Sequence, residues 1–158
     1  MEKFTFFWSG PFSQWYPAEF IAEDKKFLCA EQYMMYKKAE FFGDYEIAEE
    51  IIQAKDPKVQ KALGRKVRGF NADDWSKNAK AFVYMGNYNK FTQNSNLMKK
   101  LLDTRGTTLV EASPYDTIWG IGLSEDNLDA LDRNKWRGTN WLGEVLTSLR
   151  EDLLCDNH

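Results

Sequence analysis

Residues that end helices divide the middle of this chain into short segments, and this division constrains the fold more than any other feature of the sequence. Residues 30–42 contain neither Gly nor Pro and few β-branched residues, and Gly43 follows them. Since glycine is favoured just past a helix C-terminus, this segment predicts a helix. Capping residues, a proline at a helix start and apolar i,i+4 spacing predict five more helices. These cover residues 44–54, 56–64, 71–88, 95–105 and 139–153.

Strand-prone segments are few and short. Lys3–Trp8 is rich in Phe and Thr, and residues 107–110 are also β-prone. Phe20–Ala22 is expected to pair with Phe27–Cys29 in a hairpin whose turn is formed by residues 23–26. We therefore expect an α+β fold in which helix predominates.

The size and composition of the chain favour one core. A chain of 158 residues with 43% hydrophobic and 15% aromatic residues can bury a continuous core without disulfides. No repeat, low-complexity tract or change in composition marks a linker. We expect a single compact domain over 1–154 and a short tail, 155–158. Because no signal-peptide pattern and no apolar run of roughly 20 residues is present, a soluble cytoplasmic protein is expected.

The residue inventory excludes several kinds of chemistry. The only histidine, His158, is the last residue, and chain ends are usually disordered. Ser-His-Asp and Cys-His systems need an internal histidine and His-rich metal sites need several, so we expect no metal ion and no cofactor. Cys29 and Cys155 form no CxxC pair, which favours a reducing compartment. The net charge of -3 argues against wrapping nucleic acid through many phosphate contacts.

Two charged residues share one face of the first predicted helix. Glu31 and Lys38 are seven residues apart, nearly two turns, with Met34 and Met35 between them. Either the methionines pack while both charged groups extend to water, or the charged pair faces a ligand pocket. The spacing leaves both interpretations open.

Two more carboxylates follow the second β-prone segment. Glu111 lies at its end, and Asp116 lies three residues before Trp119 in a loop that contains glycines. Strand ends and loops commonly deliver carboxylates to ligands. An exposed strand-end Glu and a turn-forming Asp beside Pro114 are the alternatives.

Basic residues flank two helix ends. Arg65 follows the helix that ends at Gly64, and Arg137 precedes residues 138–140, which open the last helix. Free N–H groups at such a helix start can bind phosphate together with an arginine, whereas solvated basic side chains are the alternative. A flat ligand can stack on Trp75 or on another tryptophan, although most tryptophans pack in the core.

Several segments, taken together and in order, resemble the successive motifs of the YbiA-like (NADAR) family. They are Pro11–Pro17, Glu31–Ala39, Leu63–Arg65, Lys90–Phe91, Leu109–Ala112, Asp116–Gly122 and Trp136–Gly143. The resemblance implies a compact α+β fold and an N-glycosidase that needs no metal. Two activities are implied, and both cut a ribose C1′–N bond. One releases ribose 5-phosphate from early riboflavin-pathway intermediates, and the other removes ADP-ribose from modified guanine.

The resemblance also implies roles for particular residues. By position in the motifs, Glu31, Lys38 and Asp116 would be the chemical residues. Seven others would form the substrate site: Trp75, Trp119, Gly64, Arg65, Glu111, Arg137 and Asn140. The expected partner is a small phosphoribosyl or ADP-ribosyl compound, with ADP-ribosylated nucleic acid as an alternative. A module that binds ADP-ribose or NAD without chemistry is a third hypothesis.

Two chemical routes fit these residues. A carboxylate such as Asp116 or Glu31 can stabilise the positive charge that develops on the ribose as the base leaves. Alternatively, an unprotonated Lys38 can attack C1′ and form a Schiff base with the opened ribose. Two positions depart from the family's usual residues, Gln32 where many members have His and Gln14 where Asn is usual, so substrate preference can differ.

Overall fold

Helices account for most of the regular structure in the computed structural model, which describes residues 1–156. The strands are β1 (Phe4–Phe7), β2 (Phe20–Ala22), β3 (Lys25–Phe27) and β4 (Thr108–Glu111). The helices are α1 (Ala30–Phe41), α2 (Tyr45–Gln53), α3 (Pro57–Gly64), α4 (Ala72–Thr92), α5 (Ser95–Leu102) and α6 (Trp141–Asp156). Two short 3₁₀ turns, Leu128–Leu131 and Arg133–Lys135, precede α6. The predicted α+β class with predominant helix is confirmed.

The contacts within the chain define two units. Unit 1 contains residues 1–13 and the chain from residue 96 onward, and unit 2 contains residues 14–95. The single domain over 1–154 stays a prediction. Of the predicted tail, Cys155 and Asp156 are the last residues of α6, and His158 lies outside the described residues.

In unit 2, α1 packs against α2, α3 and α4. Nine of its twelve residues are buried, so the helix has no wide solvent face. Gly86 of α4 allows close packing, because a Cβ there would lie 2.8 Å from the Tyr33 ring. The neighbouring helices start at side-chain caps, with Asp44 accepting from the Ile47 amide and Asn71 from the Asp74 amide.

The structure shows what Gln32, one of the two departures from the family's usual residues, does in the fold. The side chain is fully buried, and its Nε2 donates to the carbonyl oxygens of Ile51 (2.9 Å) and Ala54 (3.1 Å). Its Oε1 accepts the Leu28 N–H at 2.7 Å. Gln32 therefore ties α1 to the end of α2, and its amide is used by backbone groups.

The hairpin of unit 2 differs from the prediction in its turn. Phe20 pairs with Phe27 and Ala22 with Lys25, so β3 starts two residues earlier than expected. Glu23 and Asp24 have φ of 54° and 63°, which gives a two-residue turn with both central residues in the left-handed region. The four-residue turn predicted over 23–26 is wrong for this reason.

Unit 1 is built on the parallel pair of β1 and β4, whose register joins Phe4 to Thr108 and Phe7 to Glu111. α6 packs against β4. The apolar stripe predicted for the last helix is confirmed, since its five members are buried: Leu142, Val145, Leu146, Leu149 and Leu153. In the part of the chain that the structure describes, no helix is both long enough and apolar enough to cross a membrane.

Candidate active site

Lys38 lies in the last turn of α1, where its side chain is half-buried. Its Nζ is 4.6 Å from the centre of the Phe70 ring. Burial lowers the pKa of the Lys38 amine, the Glu31 carboxylate opposes this change, and the nearby Arg65 charge adds to it. The net effect is a lowered pKa, which increases the fraction of neutral, nucleophilic amine at a given pH.

Glu31 lies in the first turn of α1 with only 5% of its surface exposed. Its backbone N–H donates to the carbonyl of Gln14 at 2.9 Å. A carboxylate in a first turn is favoured by the positive end of the helix dipole. Of the two interpretations of the α1 face, the one with both charged groups extended to water is therefore wrong for Glu31.

Gly64 and Arg65 lie at the end of α3, next to α1. Gly64 is buried, and a Cβ at this position would overlap the Met35 sulfur. The glycine thus allows the end of α3 to approach α1 closely. Arg65 follows immediately with an exposed side chain, and its charge acts on the Lys38 amine.

Trp75 belongs to a row of aromatic rings, the first of which lies against the Lys38 amine. The row consists of Phe70, Phe42, Trp75 and Phe82. Phe42 meets Phe70 edge-on with ring centres 5.3 Å apart, and the Phe42 and Trp75 centres are 6.5 Å apart. Trp75 stacks on Phe82 at 5.8 Å. Five predicted site residues lie in unit 2: Glu31, Lys38, Gly64, Arg65 and Trp75.

Sequence reasoning missed Phe70, although it directly contacts the candidate Lys38. A lone Phe between Gly69 and the cap Asn71 gives no periodic signal, so only its position after a glycine turn hints at a ligand-facing loop. Sequence reasoning also gave no role to the Lys90 amine. Lys90 is fully buried on α4, and burial lowers its pKa to about 7.

The other five predicted residues lie in unit 1, where Asp116 begins the loop Asp116–Gly122. Its Oδ1 accepts the N–H groups of Ile118 (2.9 Å) and Trp119 (2.8 Å). Its carbonyl accepts the Gly122 N–H at 3.1 Å. The carboxylate therefore forms the turn, which was the alternative noted from the sequence, and this leaves its Oδ2 as the oxygen not used by these bonds.

The segment before α6 lies directly against this loop. The four amides of residues 139–142 donate to the four carbonyls of residues 117–120 at 3.0–3.1 Å. Gly138 makes the approach possible, because a Cβ there would overlap the Gly120 carbonyl oxygen. The prediction of free N–H groups for phosphate at this helix start is wrong, since the loop carbonyls already accept them.

Asn140 joins the same segment to β4. It is fully buried with φ of 53°, and its side chain donates to the Leu109 carbonyl (3.0 Å) and accepts the Glu111 N–H (2.9 Å). The side-chain amide of Asn140 thus makes the two backbone hydrogen bonds to β4 that a paired strand would make. Asn140 therefore fixes the backbone at the end of β4, where the Glu111 side chain begins.

Arg137 and Trp119 present side chains on the same part of unit 1. Arg137 is exposed, and its N–H donates to the Ile121 carbonyl at 2.8 Å. Trp119 is partly buried and meets Trp141 edge-on at 5.6 Å. Glu111 is partly buried, and Gly120 leaves room for its carboxylate, since a Cβ there would lie 2.7 Å from Oε2. A cation, a carboxylate and an aromatic ring thus lie on or against the loop Asp116–Gly122.

Comparison with known proteins places this chain among NADAR proteins. The NADAR domain model matches residues 6–154, and the chain belongs to the NADAR domain family. It is 45% identical over 146 residues to N-glycosidase R617 of Acanthamoeba polyphaga mimivirus, covering 89% of this chain and 86% of the relative. It is 34% identical over 113 residues to the maize protein named Riboflavin biosynthesis protein PYRR, chloroplastic, covering 69% of this chain but 16% of that protein.

The fold is shared with a solved structure. The NMR structure of the E. coli protein YbiA matches with a TM-score of 0.81 and 26% identity, covering 99% of this chain and 89% of that one. The resemblance inferred from the motifs is therefore confirmed. The predicted class of enzyme, a hydrolase of N-glycosyl bonds, is confirmed by the family and by the name of the mimivirus relative.

Proposed function

We propose that this protein hydrolyses the ribose C1′–N bond of phosphoribosylamino-pyrimidine intermediates of riboflavin biosynthesis and releases ribose 5-phosphate. The observation that carries the proposal is the half-buried Lys38 amine, whose pKa is lowered by burial and by Arg65, on the same helix as the buried Glu31. The maize relative's name supports the pathway. We place the reaction in the cytoplasm, consistent with two cysteines that are both free.

Lys38 is the proposed nucleophile. Its neutral amine attacks C1′, and the C1′–N bond breaks with its electron pair moving to the leaving nitrogen. That nitrogen takes a proton from a carboxylic acid, for which Glu31 is the candidate. The attacking nitrogen now carries two protons: one returns to the Glu31 carboxylate, and the other moves to the ring oxygen as the sugar opens, which leaves a neutral Schiff base between Lys38 and C1′. Water then adds to the Schiff base, which restores the amine and releases ribose 5-phosphate.

The other predicted residues have binding or supporting roles in this proposal. Arg65 in unit 2 and Arg137 in unit 1 are both exposed, and each by itself is a cation suited to a phosphate. Within unit 2, Trp75 offers a ring face for a base. Within unit 1, Trp119 offers another, and the Glu111 and Asp116 carboxylates are of the kind that stabilises a developing cation. Gly64 and Asn140 set the backbone around these groups. The acidic net charge of -3 favours a small substrate over extended nucleic acid.

The test is release of ribose 5-phosphate by purified protein from the ribosylamino-pyrimidine phosphates, with ADP-ribosylated guanine run in parallel. Wild type should release ribose 5-phosphate, and Glu31→Gln should lower turnover by about 10²- to 10⁴-fold, the range for a lost general acid. Glu50→Gln is the control, because Glu50 is an exposed carboxylate of α2. Cleavage of the guanine adduct alone would replace the proposal with a de-modifying activity, and binding without product would leave a binding module.

A further inference from the structure

The loop between α3 and α4, residues 65–71, is fixed from outside the candidate site. Asp44 has a buried side chain, and its carboxylate accepts three bonds from Arg68. Arg68 Nη2 lies 2.7 Å from Oδ1, while Arg68 Nε (3.1 Å) and the Arg68 amide (2.8 Å) both reach Oδ2. Arg68 also contacts Glu46 at 2.7 Å. Because the backbone amide and the guanidinium bind the same carboxylate, the path of this loop is determined at its centre.

This loop carries Arg65 at one end and Phe70 at the other. Gly69 has φ of 78°, and a Cβ there would lie only 3.5 Å from the Phe42 carbonyl oxygen. The chain therefore turns close to the end of α1 and brings the Phe70 ring edge-on to Phe42. Both ends of the loop then act on Lys38, one through charge and one through a ring face.

The contact between Phe70 and Lys38 has features of a binding surface. The Lys38 Nζ lies 4.6 Å from the ring centre, within the range of a cation–π interaction. Phe70 is nevertheless 45% exposed, which is unusual for a large aromatic residue that only fills a core. In unit 2, the charged groups that act on Lys38 are Glu31 on α1 and Arg65 on this loop.

We propose that the Phe70 ring holds the Lys38 ammonium before substrate binds, and that the flat base of the substrate then stacks on this ring and releases the amine toward the sugar. The inference rests on the proposed function, because it takes Lys38 as the nucleophile. Phe70 acts in two ways, as a positioning residue for Lys38 and as a contact for the base. A cation–π interaction favours the protonated amine, so displacement of Lys38 from the ring favours the neutral one.

The first half of the proposal is tested without substrate, by the rate at which a small acylating reagent labels Lys38 across a pH series, read by peptide mass. In Phe70→Leu the acid dissociation constant of Lys38 should rise about two- to fivefold, the value of an exposed cation–π contact. Phe70→Tyr should match wild type. Simple loss of packing would expose the amine to water and shift labelling in the opposite direction.

Phe41→Leu is the matched control for this labelling. Phe41 is 41% exposed and meets Phe42 edge-on at 4.9 Å, as Phe70 does at 5.3 Å. Its substitution should leave Lys38 labelling unchanged. An unchanged or slower rate in Phe70→Leu, or an equal change in Phe41→Leu, would overturn the first half.

The second half is tested by steady-state kinetics with the pyrimidine substrate. Phe70→Leu should raise KM about five- to a hundredfold, the range for loss of one base–aromatic stack, while Phe70→Tyr restores the wild-type value. A fall in kcat with an unchanged KM would overturn this half. If wild type cleaves none of the substrates, the proposed function fails together with this half, and the labelling result still decides whether Phe70 holds Lys38.

Discussion

Lys38 in unit 2 and Asp116 in unit 1 are both candidate chemical residues, yet they use their polar atoms differently. The Lys38 amine lies against a ring face, and its pKa is set by burial and by two charges. Asp116 Oδ1 accepts two backbone N–H groups of its own loop. A substitution at Lys38 therefore removes a functional group, whereas one at Asp116 also removes part of the structure that holds the loop.

The largest effect is expected for Lys38→Met, which keeps most of the side-chain volume but removes the amine. If the amine is the nucleophile, ribose 5-phosphate release should fall by about a thousandfold or more. The free energy of unfolding should stay within about 1 kcal/mol, since the residue is only half-buried. Lys58→Met, at an exposed lysine of α3, should keep full activity. Activity of Lys38→Met within tenfold of wild type would remove the nucleophile from this account.

Alanine substitution of one glycine in each unit tests how tightly the backbone of that unit is packed. Gly138→Ala should cost about 1–3 kcal/mol in unfolding free energy, because the new Cβ overlaps backbone atoms of Thr117 and Gly120 that cannot move aside. Gly64→Ala should cost less than about 1 kcal/mol, since Met35 can change rotamer and alanine favours the helix. Urea unfolding of both variants measures the difference. A larger loss in Gly64→Ala would show that unit 2 is the more rigid one.

Two substitutions at Asp116 distinguish the effect of its charge from the effect of the hydrogen bonds that form the turn. Asp116→Asn keeps an oxygen that can accept the Ile118 and Trp119 N–H groups, so stability should change by less than about 0.5 kcal/mol. Asp116→Ala should cost about 1 kcal/mol. If the carboxylate charge stabilises the transition state, both variants lose turnover. Wild-type turnover in Asp116→Asn would limit Asp116 to a structural role.

The smallest effect is a change in pH dependence. Lys38 must lose a proton to attack, so kcat/KM should rise with pH until the amine is neutral. Removing the Arg65 charge with Arg65→Gln should raise the pKa of Lys38 and move this rise to higher pH. Removing the Glu31 charge with Glu31→Gln should lower the pKa and move the residual activity to lower pH. Equal profiles for all three proteins would show that Lys38 does not control the rate.

Local sequence signals were enough for most of the fold. The helices begin at caps such as Asp44 and Asn71, where the side chain and the N–H it accepts are three residues apart. The second strand of the hairpin starts two residues earlier than predicted. The reason is that the left-handed φ of Glu23 and Asp24 has no clear sequence signal when neither residue is glycine or asparagine.

Long-range contacts explain what the sequence did not predict about the candidate sites. The amides of residues 139–142 are accepted by carbonyls about twenty positions earlier, and no local pattern reveals that pairing. Phe70, which contacts Lys38, lies two residues from Arg68, and Arg68 binds Asp44, which is also far away in sequence. Motif resemblance supplied the candidate chemical residues, whereas the contacts around them depend on the fold.

The central claim, that Lys38 attacks the sugar carbon, is tested most directly by adding borohydride during turnover of the pyrimidine substrate. Reduction of the Schiff base should fix one ribose 5-phosphate unit to the intact protein, and peptide mass should locate it on Lys38. Lys58→Met should form the same adduct, and Lys38→Met should form none. Active turnover of the wild-type protein without any adduct would contradict the account and favour direct attack by water.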